Sequence, residues 1–177
     1  MATQTADVQL MTKLINCTFS PCRRYRYTWE LAWNDTLPPC AFIGLNPSTA
    51  DEHGPDPTVR RCINYAKRWG YGRLVMLNLF GFRATDRNAM KRDAAPIAHA
   101  AGPRANDQHL RHTVKRTHQL GGIVVAAWGS DGGHLNRATV VRTLLAPFSL
   151  HYLALTKAGE PGHPLYLKGE LSPIPWR

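Results

Sequence analysis

The chain has 177 residues, of which 44% are hydrophobic and 19% are charged. This length suffices for one domain with a buried core, and the composition excludes a largely disordered protein and a coiled coil. Lysine and arginine number 22 against 12 acidic residues, which gives a formal net charge of +10, and sixteen of the 22 are arginine. Because arginine is suited to bidentate phosphate contacts, we expect a polyanionic partner.

Neither a membrane segment nor a metal site is expected. No apolar run reaches the roughly 18 residues that a membrane span needs, and the N-terminus lacks the basic-then-apolar order of a signal peptide. We therefore expect a soluble, cytoplasmic monomer with no membrane partner. The four cysteines (Cys17, Cys22, Cys40, Cys62) lack the paired spacing of metal ligands. They are interpreted as reduced thiols, with no metal and no cofactor expected.

The N-terminal part of the chain differs in pattern from the rest. Residues 1–20 carry only Asp7 and Lys13 as charges and show no clear period, which indicates a flexible or loosely docked arm before a single domain at 21–177. Residues 24–33 alternate aromatic with polar side chains, the pattern of a half-buried strand or hairpin. We expect this segment at a sheet edge or in an antiparallel flap.

The remainder alternates short apolar runs with helical stretches. The uncharged apolar runs are typical of buried parallel strands, and they lie at 40–45, 74–79, 123–128 and 150–155. Between them, Asp56 and Pro57 predict a helix start and Gly70 its end. Weaker helical patterns follow at about 103–119 and 134–145. This order predicts an α/β fold, with three α/β/α layers and a short four-stranded parallel sheet.

In such a sheet, ligands bind beyond the carboxyl ends of the strands. The four strands are followed in turn by Gly44-Leu45-Asn46-Pro47-Ser48, by Asn78-Leu79-Phe80, by Trp128-Gly129-Ser130 and by a loop with His163-Pro164-Leu165. Amides, hydroxyls, an imidazole and backbone N–H groups can bind a planar heterocycle and stabilise an anion at its edge without a metal. These groups indicate a nucleobase site.

The order of these motifs resembles that of the uracil-DNA glycosylase superfamily over about residues 40–168. Gly44-Leu45-Asn46-Pro47 is similar to the Asn version of that family's G-x-[DN]-P turn, which positions the attacking water. Asn78 in V-M-L-N-L is similar to the Asn that binds the pyrimidine edge, and His163-Pro164-Leu165 is similar to the family's H-P-S-P loop. The motifs N-P-S-T-A-D and H-P-L-Y also resemble those of a family of uncharacterised bacterial and phage domains.

The resemblance implies a role for each matching residue. Asn46 and His163 would be catalytic, and either Leu165 or Tyr166 would fill the emptied base stack. The base-binding residues would be Gly44, Leu45, Ser48, Asn78 and Phe80.

Two departures from the family pattern bear on the substrate. Asn46 stands where the fast uracil-specific branch has Asp, and an amide can orient water but cannot take its proton. Slow chemistry, or a destabilised base, is therefore expected. Ser48 stands where that branch has a larger Tyr, which leaves room for a C5 substituent.

Two basic stretches follow the first two strands. Arg60, Arg61 and Arg83 lie in them and are predicted to bind DNA phosphates, which would make the affinity strongly salt-dependent. The structural alternative for the first stretch is an ion pair of Asp56 with Arg60 or Arg61.

These observations favour a monofunctional DNA glycosylase that flips a modified pyrimidine out of double- or single-stranded DNA and leaves an abasic site. The base would be uracil-like or C5-substituted, including hydroxymethylated or glucosylated cytosine of phage DNA, in which case the protein would act in anti-phage defence. The alternatives are a non-catalytic module that binds modified DNA or nucleotides, and a nucleoside or nucleotide hydrolase. The corresponding structural interpretations are that Asn46 forms an Asx-turn, that Asn78 is a buried cap and that His163 is a surface loop residue.

Overall fold

The computed structural model of the chain describes residues 13–176 and has a mixed α/β fold around one seven-stranded sheet. The strands are β1 (Lys13–Phe19), β2 (Arg26–Ala32), β3 (Pro39–Gly44), β4 (Arg73–Asn78), β5 (Ile123–Ala126), β6 (Leu150–Tyr152) and β7 (Ile174–Trp176). The α-helices are α1 (Pro57–Arg68), α2 (Arg87–Arg92), α3 (Ala105–Gln119) and α4 (Arg137–Leu144). The strand order is β1-β2-β4-β3-β5-β6-β7. The prediction of an α/β fold is confirmed, and the sheet is larger than the four strands expected.

The four central strands, β4, β3, β5 and β6, run parallel, and antiparallel strands flank them on both sides. Each of the four apolar runs predicted as a strand overlaps one of these central strands. In the register of β3 and β4, Gly44 lies opposite Asn78, and in that of β3 and β5, Ile43 lies opposite Ala126. Their carboxyl ends therefore meet at one edge.

Helices cover both faces of the sheet. On one face, α1 buries Val59, Cys62 and Ala66 in a core that includes Phe42 of β3. On the other face, α3 and α4 bury residues such as Leu110 and Val141 against the same sheet. Burial of these apolar side chains on both faces supplies the main force that holds the three layers together.

The predicted start of α1 is confirmed in detail. Pro57 is its first residue, and Asp56 Oδ1 accepts a hydrogen bond from the backbone N–H of Val59 at 2.8 Å. The helix ends at Arg68, and Gly70 adopts a φ of +83°, a conformation that glycine tolerates without strain.

The arm predicted for residues 1–20 is wrong for Lys13–Phe19, which forms the edge strand β1 and pairs with β2. Residues 1–12 of that predicted arm lie outside the described residues. The helix expected at 134–145 begins only at Arg137, because Leu135 and Asn136 have φ values of 51° and 53° and follow a 3-10 segment. The helix α2 and the strand β7 were not predicted.

Within residues 13–176, no helix has the length and apolar character required to cross a membrane.

Candidate functional site

A cleft of about 670 Å³ lies at the carboxyl ends of β3, β4 and β5. Its volume falls within the roughly 300–1,000 Å³ of ordinary ligand sites. This cleft is lined by most of the residues that were predicted to bind or process a base: Gly44, Leu45, Asn46, Ser48, Asn78, His163, Leu165 and Tyr166. Because the carboxyl ends of parallel strands meet at one edge of the sheet, three separate parts of the chain come together at this cleft.

Asn46 joins two backbone segments with its side-chain amide. Its Nδ2 donates to the carbonyl oxygens of Pro47 at 3.0 Å and Ala84 at 2.8 Å, with a weaker contact to Phe82 at 3.5 Å. These carbonyls identify the nitrogen end of the amide, since only N–H groups can donate to them. Its Oδ1 accepts no hydrogen bond from any described residue and stays available as an acceptor.

Asn78 ends β4 at the cleft. Only 3% of the residue is exposed, and Nδ2 is buried without a hydrogen-bond partner among the described residues. A buried polar group without a partner costs about 1–3 kcal/mol. A ligand that accepts a hydrogen bond from Nδ2 would remove this cost, so Asn78 is suited to ligand recognition rather than to capping.

His163 reaches the cleft from the loop after β6. Its Nδ1 accepts a hydrogen bond from the backbone N–H of Leu165 at 3.4 Å, which leaves Nε2 as the protonated nitrogen of the neutral ring. Burial lowers the pKa of His163, with Arg87 acting in the same direction and Asp56 against it. The neutral form is therefore favoured near neutral pH, with one N–H to donate.

The turn after β5 packs against the loop that carries His163. Gly129 adopts a φ of +74°, and its N–H donates to the Pro161 carbonyl at 2.7 Å. A Cβ at Gly129 would lie 3.4 Å from the Cβ of His163. The positive φ favours glycine at this position, and the 3.4 Å spacing is an ordinary van der Waals contact.

Two apolar side chains project at the mouth of the cleft. Leu165 is 42% exposed and Tyr166 is 82% exposed, and both belong to a 3-10 turn at Pro164–Tyr166. The Tyr166 ring centroid lies 5.4 Å from that of His163. Exposed apolar side chains beside a cleft are suited to contact a second molecule.

Trp128 lines the cleft but is a core residue. It is 1% exposed, its Nε1 donates to Glu160 at 2.6 Å, and its ring lies 5.6 Å from that of Trp176. These contacts make Trp128 part of the core beneath the cleft rather than an exposed stacking surface.

An ion-pair cluster borders the cleft and was not predicted. Asp131 follows the W-G-S motif and pairs with Arg87 at 3.0 Å and with Lys91, both from α2. The hydrogen bond from Lys91 is the main cause of the lowered pKa of Asp131. The adjacency of Asp131 to the motif was the available sequence signal. Arg26 and Met76 also line the cleft without having been predicted.

Phe80 is wrongly predicted as a base-binding residue. It is fully buried in the core, with its ring 5.6 Å from that of His134, and it does not line the cleft. The N–H of Phe80 donates to the Leu45 carbonyl at 2.9 Å, which turns the chain inward directly after β4.

Arg61 makes a structural contact outside the cleft. Its Nη2 donates to the carbonyl oxygen of Leu167. Two further side chains of α1 hold the same segment: Tyr65 donates to the Lys168 carbonyl at 2.5 Å, and Trp69 donates to the Leu171 carbonyl at 3.0 Å. Together they attach the C-terminal segment to α1.

The other two predicted DNA-binding arginines also lie outside the cleft. Arg83 donates to the Arg23 carbonyl at 3.3 Å and its guanidinium lies 5.0 Å from the Phe19 ring centroid. Arg60 is exposed on α1 and makes no ion pair with a described residue. The alternative ion pair of Asp56 is wrong for both Arg60 and Arg61, because Asp56 caps α1 instead.

The four cysteines are free thiols. Among the described residues, the one cluster with metal-ligand chemistry is Asp51, Glu52 and His53, whose ligand atoms lie within 4.8 Å of one another. This cluster is outside the cleft, and Glu52 pairs with Arg23 at 2.5 Å.

Comparison with protein families gives one match, to the family described as a protein of unknown function, DUF1643, over residues 26–165. The chain belongs to the DUF1643 family. The matched region extends from β2 to Leu165 and so includes Asn46, Asn78 and His163. No curated protein and no solved structure matches the chain.

Proposed function

We propose that this DUF1643 protein is a monofunctional DNA glycosylase that hydrolyses the N-glycosidic bond of a modified pyrimidine and leaves an abasic site. The observation that carries the proposal is the convergence of Asn46, Asn78 and His163 on one cleft, each with an unused hydrogen-bonding atom. The order of the strand-end motifs, which resembles that of the uracil-DNA glycosylase superfamily, supports the same reaction.

The target base enters the cleft by rotating out of the DNA stack. Unstacking costs a few kcal/mol, and contacts with the flipped base offset this cost. The unpartnered Nδ2 of Asn78 supplies a donor to a ring acceptor of the base. Ser48 adds little bulk to the wall, so a uracil-like base or a C5-substituted pyrimidine, including hydroxymethyl or glucosylated cytosine, is accommodated.

Asn46 and His163 act on opposite sides of the bond that breaks. Asn46 Oδ1 accepts a hydrogen bond from a water molecule, which attacks the sugar C1′ as the bond to the base N1 breaks. The electron pair of that bond goes to the base, and Nε2–H of His163 donates to the resulting anion. The water proton leaves to solvent, because an amide cannot take it, and the reaction is correspondingly slow.

The mouth of the cleft and the net charge fit a DNA partner. Tyr166 or Leu165 would occupy the gap that the flipped base leaves in the stack, where an exposed aromatic or aliphatic side chain replaces the lost stacking. The exposed Arg60 and the net charge of +10 favour the phosphate backbone.

The test is incubation with duplexes that contain uracil, 5-hydroxymethylcytosine or glucosylated 5-hydroxymethylcytosine. Alkali then cuts abasic sites, and chromatography identifies any released base. We expect one of these bases to be released and Asn46→Ala to abolish its release, whereas Asn64→Ala, an exposed change on α1 outside the cleft, leaves it unchanged. Release of a hypermodified phage base would assign the protein to anti-phage defence.

A non-catalytic module that binds a modified base is the second candidate. It is favoured by the contacts of Asn46, whose amide already bridges the carbonyls of Pro47 and Ala84 as a structural element. It predicts salt-sensitive binding of a modified duplex with no base released from any substrate. A nucleoside or nucleotide hydrolase would instead release a base from free nucleosides or nucleotides and from none of the duplexes.

A further inference from the structure

Two arginines are buried among the described residues 13–176, and they differ in how their charge is compensated. Arg137 is 1% exposed; its Nε donates to the Leu79 carbonyl at 2.7 Å and its Nη2 pairs with the Asp107 carboxylate. Arg26 is 2% exposed and donates from Nη1 to the Ala50 carbonyl. Its Nε is buried with no partner among the described residues, and no described carboxylate forms an ion pair with it.

An unpaired buried charge is costly, and proteins rarely retain one without a use. Burial lowers the pKa of Arg26 to about 10, so the guanidinium stays charged at neutral pH. Among the acidic residues, Asp56 contributes most to raising the pKa of Arg26 again. Both of its carboxylate oxygens already accept backbone N–H groups, from Val59 at 2.8 Å and Ala50 at 3.4 Å.

Arg26 is also placed where a ligand would meet it. It is the first residue of β2, and its backbone N–H donates to the Gly81 carbonyl at 2.9 Å, just beyond the carboxyl end of β4. Its side chain lines the cleft together with Met76 and Asn78. Because it is almost completely buried, it is accessible only to a group inside the cleft and not to DNA phosphates at the mouth.

We propose that Arg26 is an anion-binding residue of the cleft that holds the negative charge of the departing pyrimidine base. The inference rests on the proposed glycosylase function. When the bond between C1′ and N1 breaks, its electron pair spreads over the ring and its carbonyl oxygens, and a fixed guanidinium in a water-poor site stabilises that charge. The later protonation of the base anion comes from water. The preferred substrates are therefore pyrimidines that carry ring carbonyl oxygens and leave as anions.

Binding of free bases tests the anion site without any catalysis. The probes are barbiturate, a pyrimidine that is anionic at neutral pH, and uracil, which is neutral, measured by calorimetry. We expect the wild-type protein to bind barbiturate at least tenfold more tightly than uracil. Arg26→Met should remove this preference, while Arg26→Lys, which keeps the positive charge, should retain part of it.

Arg137→Met is the matched control. Removal of one partner of a buried ion pair is destabilising, whereas Arg26 has no ion-pair partner among the described residues and Arg26→Met loses its hydrogen bond to the Ala50 carbonyl. We therefore expect Arg137→Met to unfold at a lower urea concentration than Arg26→Met. The proposal would be overturned if the wild type bound barbiturate and uracil equally well. It would also be overturned by an unchanged preference for barbiturate in Arg26→Met. If Arg26→Met does not fold, Arg26→Gln takes its place in this test.

The reaction supplies a second and separable readout. Duplexes that carry uracil or 5-fluorouracil differ mainly in how well the base leaves as an anion. Loss of Arg26 should slow uracil release at least tenfold more than 5-fluorouracil release, and equal slowing of both would contradict the assignment. If no base is released from any duplex while the barbiturate preference still depends on Arg26, the glycosylase proposal fails and the anion site stands.

Discussion

Gly44 and Asn78 lie opposite each other in the parallel register of β3 and β4, and the Oδ1 of Asn78 lies 2.9 Å from the position that a Cβ on Gly44 would occupy. The glycine of the G-L-N-P turn thus leaves the space in which the Asn78 amide is held. The lack of a side chain at the end of β3 therefore permits the orientation of the Asn78 side chain at the end of β4.

Gly44→Ala should disturb the cleft more than the fold. The added methyl group has to displace the Asn78 amide, so we expect at least a tenfold loss of affinity for a modified duplex and a loss of about 1–2 kcal/mol in the free energy of unfolding. Filter binding and urea unfolding measure the two effects. Gly133→Ala is the control, since a Cβ there meets nothing within 4 Å, and an equal loss of binding in both variants would contradict this account.

Asn46→Asp should fail to produce a fast enzyme. A carboxylate at this position would face the Pro47 and Ala84 carbonyl oxygens with no N–H to donate, so we expect a loss of about 2–3 kcal/mol in the free energy of unfolding and no increase in rate. Urea unfolding and single-turnover base release check this. Asn64→Asp introduces the same charge at an exposed site and should leave both unchanged; a faster Asn46→Asp enzyme would refute the prediction.

Arg60 and Arg61 are neighbours in different environments, since Arg60 is exposed and Arg61 is held by the Leu167 carbonyl. Arg61→Ala removes the hydrogen bond to Leu167 and should lower the free energy of unfolding by about 1–3 kcal/mol without changing the salt dependence of DNA binding. Arg60→Ala should leave the stability unchanged and reduce the slope of log affinity against log salt by about 1, because it removes one phosphate contact. Each variant controls for the other, and an exchange of the two outcomes would show the assignment to be wrong.

The half-buried His163 should make the free energy of unfolding depend on pH below neutrality. Its pKa in the folded state lies below the ordinary value of about 6.5, so the unfolded chain binds the proton more readily and stability falls as the pH drops from about 6.5 toward the folded pKa. Urea unfolding of wild type and His163→Gln across this range isolates the effect, because His109 and His151, whose pKa values are also lowered by burial, are present in both. Parallel pH curves for the two proteins would contradict the prediction.

The central strands and α1 could be predicted from the sequence because each carries a strong local signal. Buried parallel strands are continuous apolar runs, and Asp56-Pro57 combines a capping side chain with a helix-starting proline. The strand β7 contains Pro175 and has three residues, and α2 buries only Met90, so neither has a periodic pattern of its own. Their positions depend on tertiary contacts.

The same distinction applies to the cleft. Asn46, Asn78 and His163 could be predicted because they follow strands, and parallel strand ends meet at one edge. Phe80 also follows a strand but turns into the core, a direction that depends on its bond to the Leu45 carbonyl. Arg26 occupies a polar position in an alternating run, which predicts an outward side chain, and its burial results from packing by segments far away in the sequence.

The bonds from α1 to residues 167–171 have a further consequence for the chain's dynamics. They join residues 102 to 106 positions apart, and they hold the segment that directly follows the loop with His163 and Tyr166. On the other side of the loop, the Gly162 N–H is held by the Ala154 carbonyl at 2.8 Å. Local opening of residues 167–171 would therefore release the imidazole and the exposed tyrosine together. Hydrogen exchange of the amides in residues 167–171 should report on the integrity of the cleft, although the family match ends at residue 165.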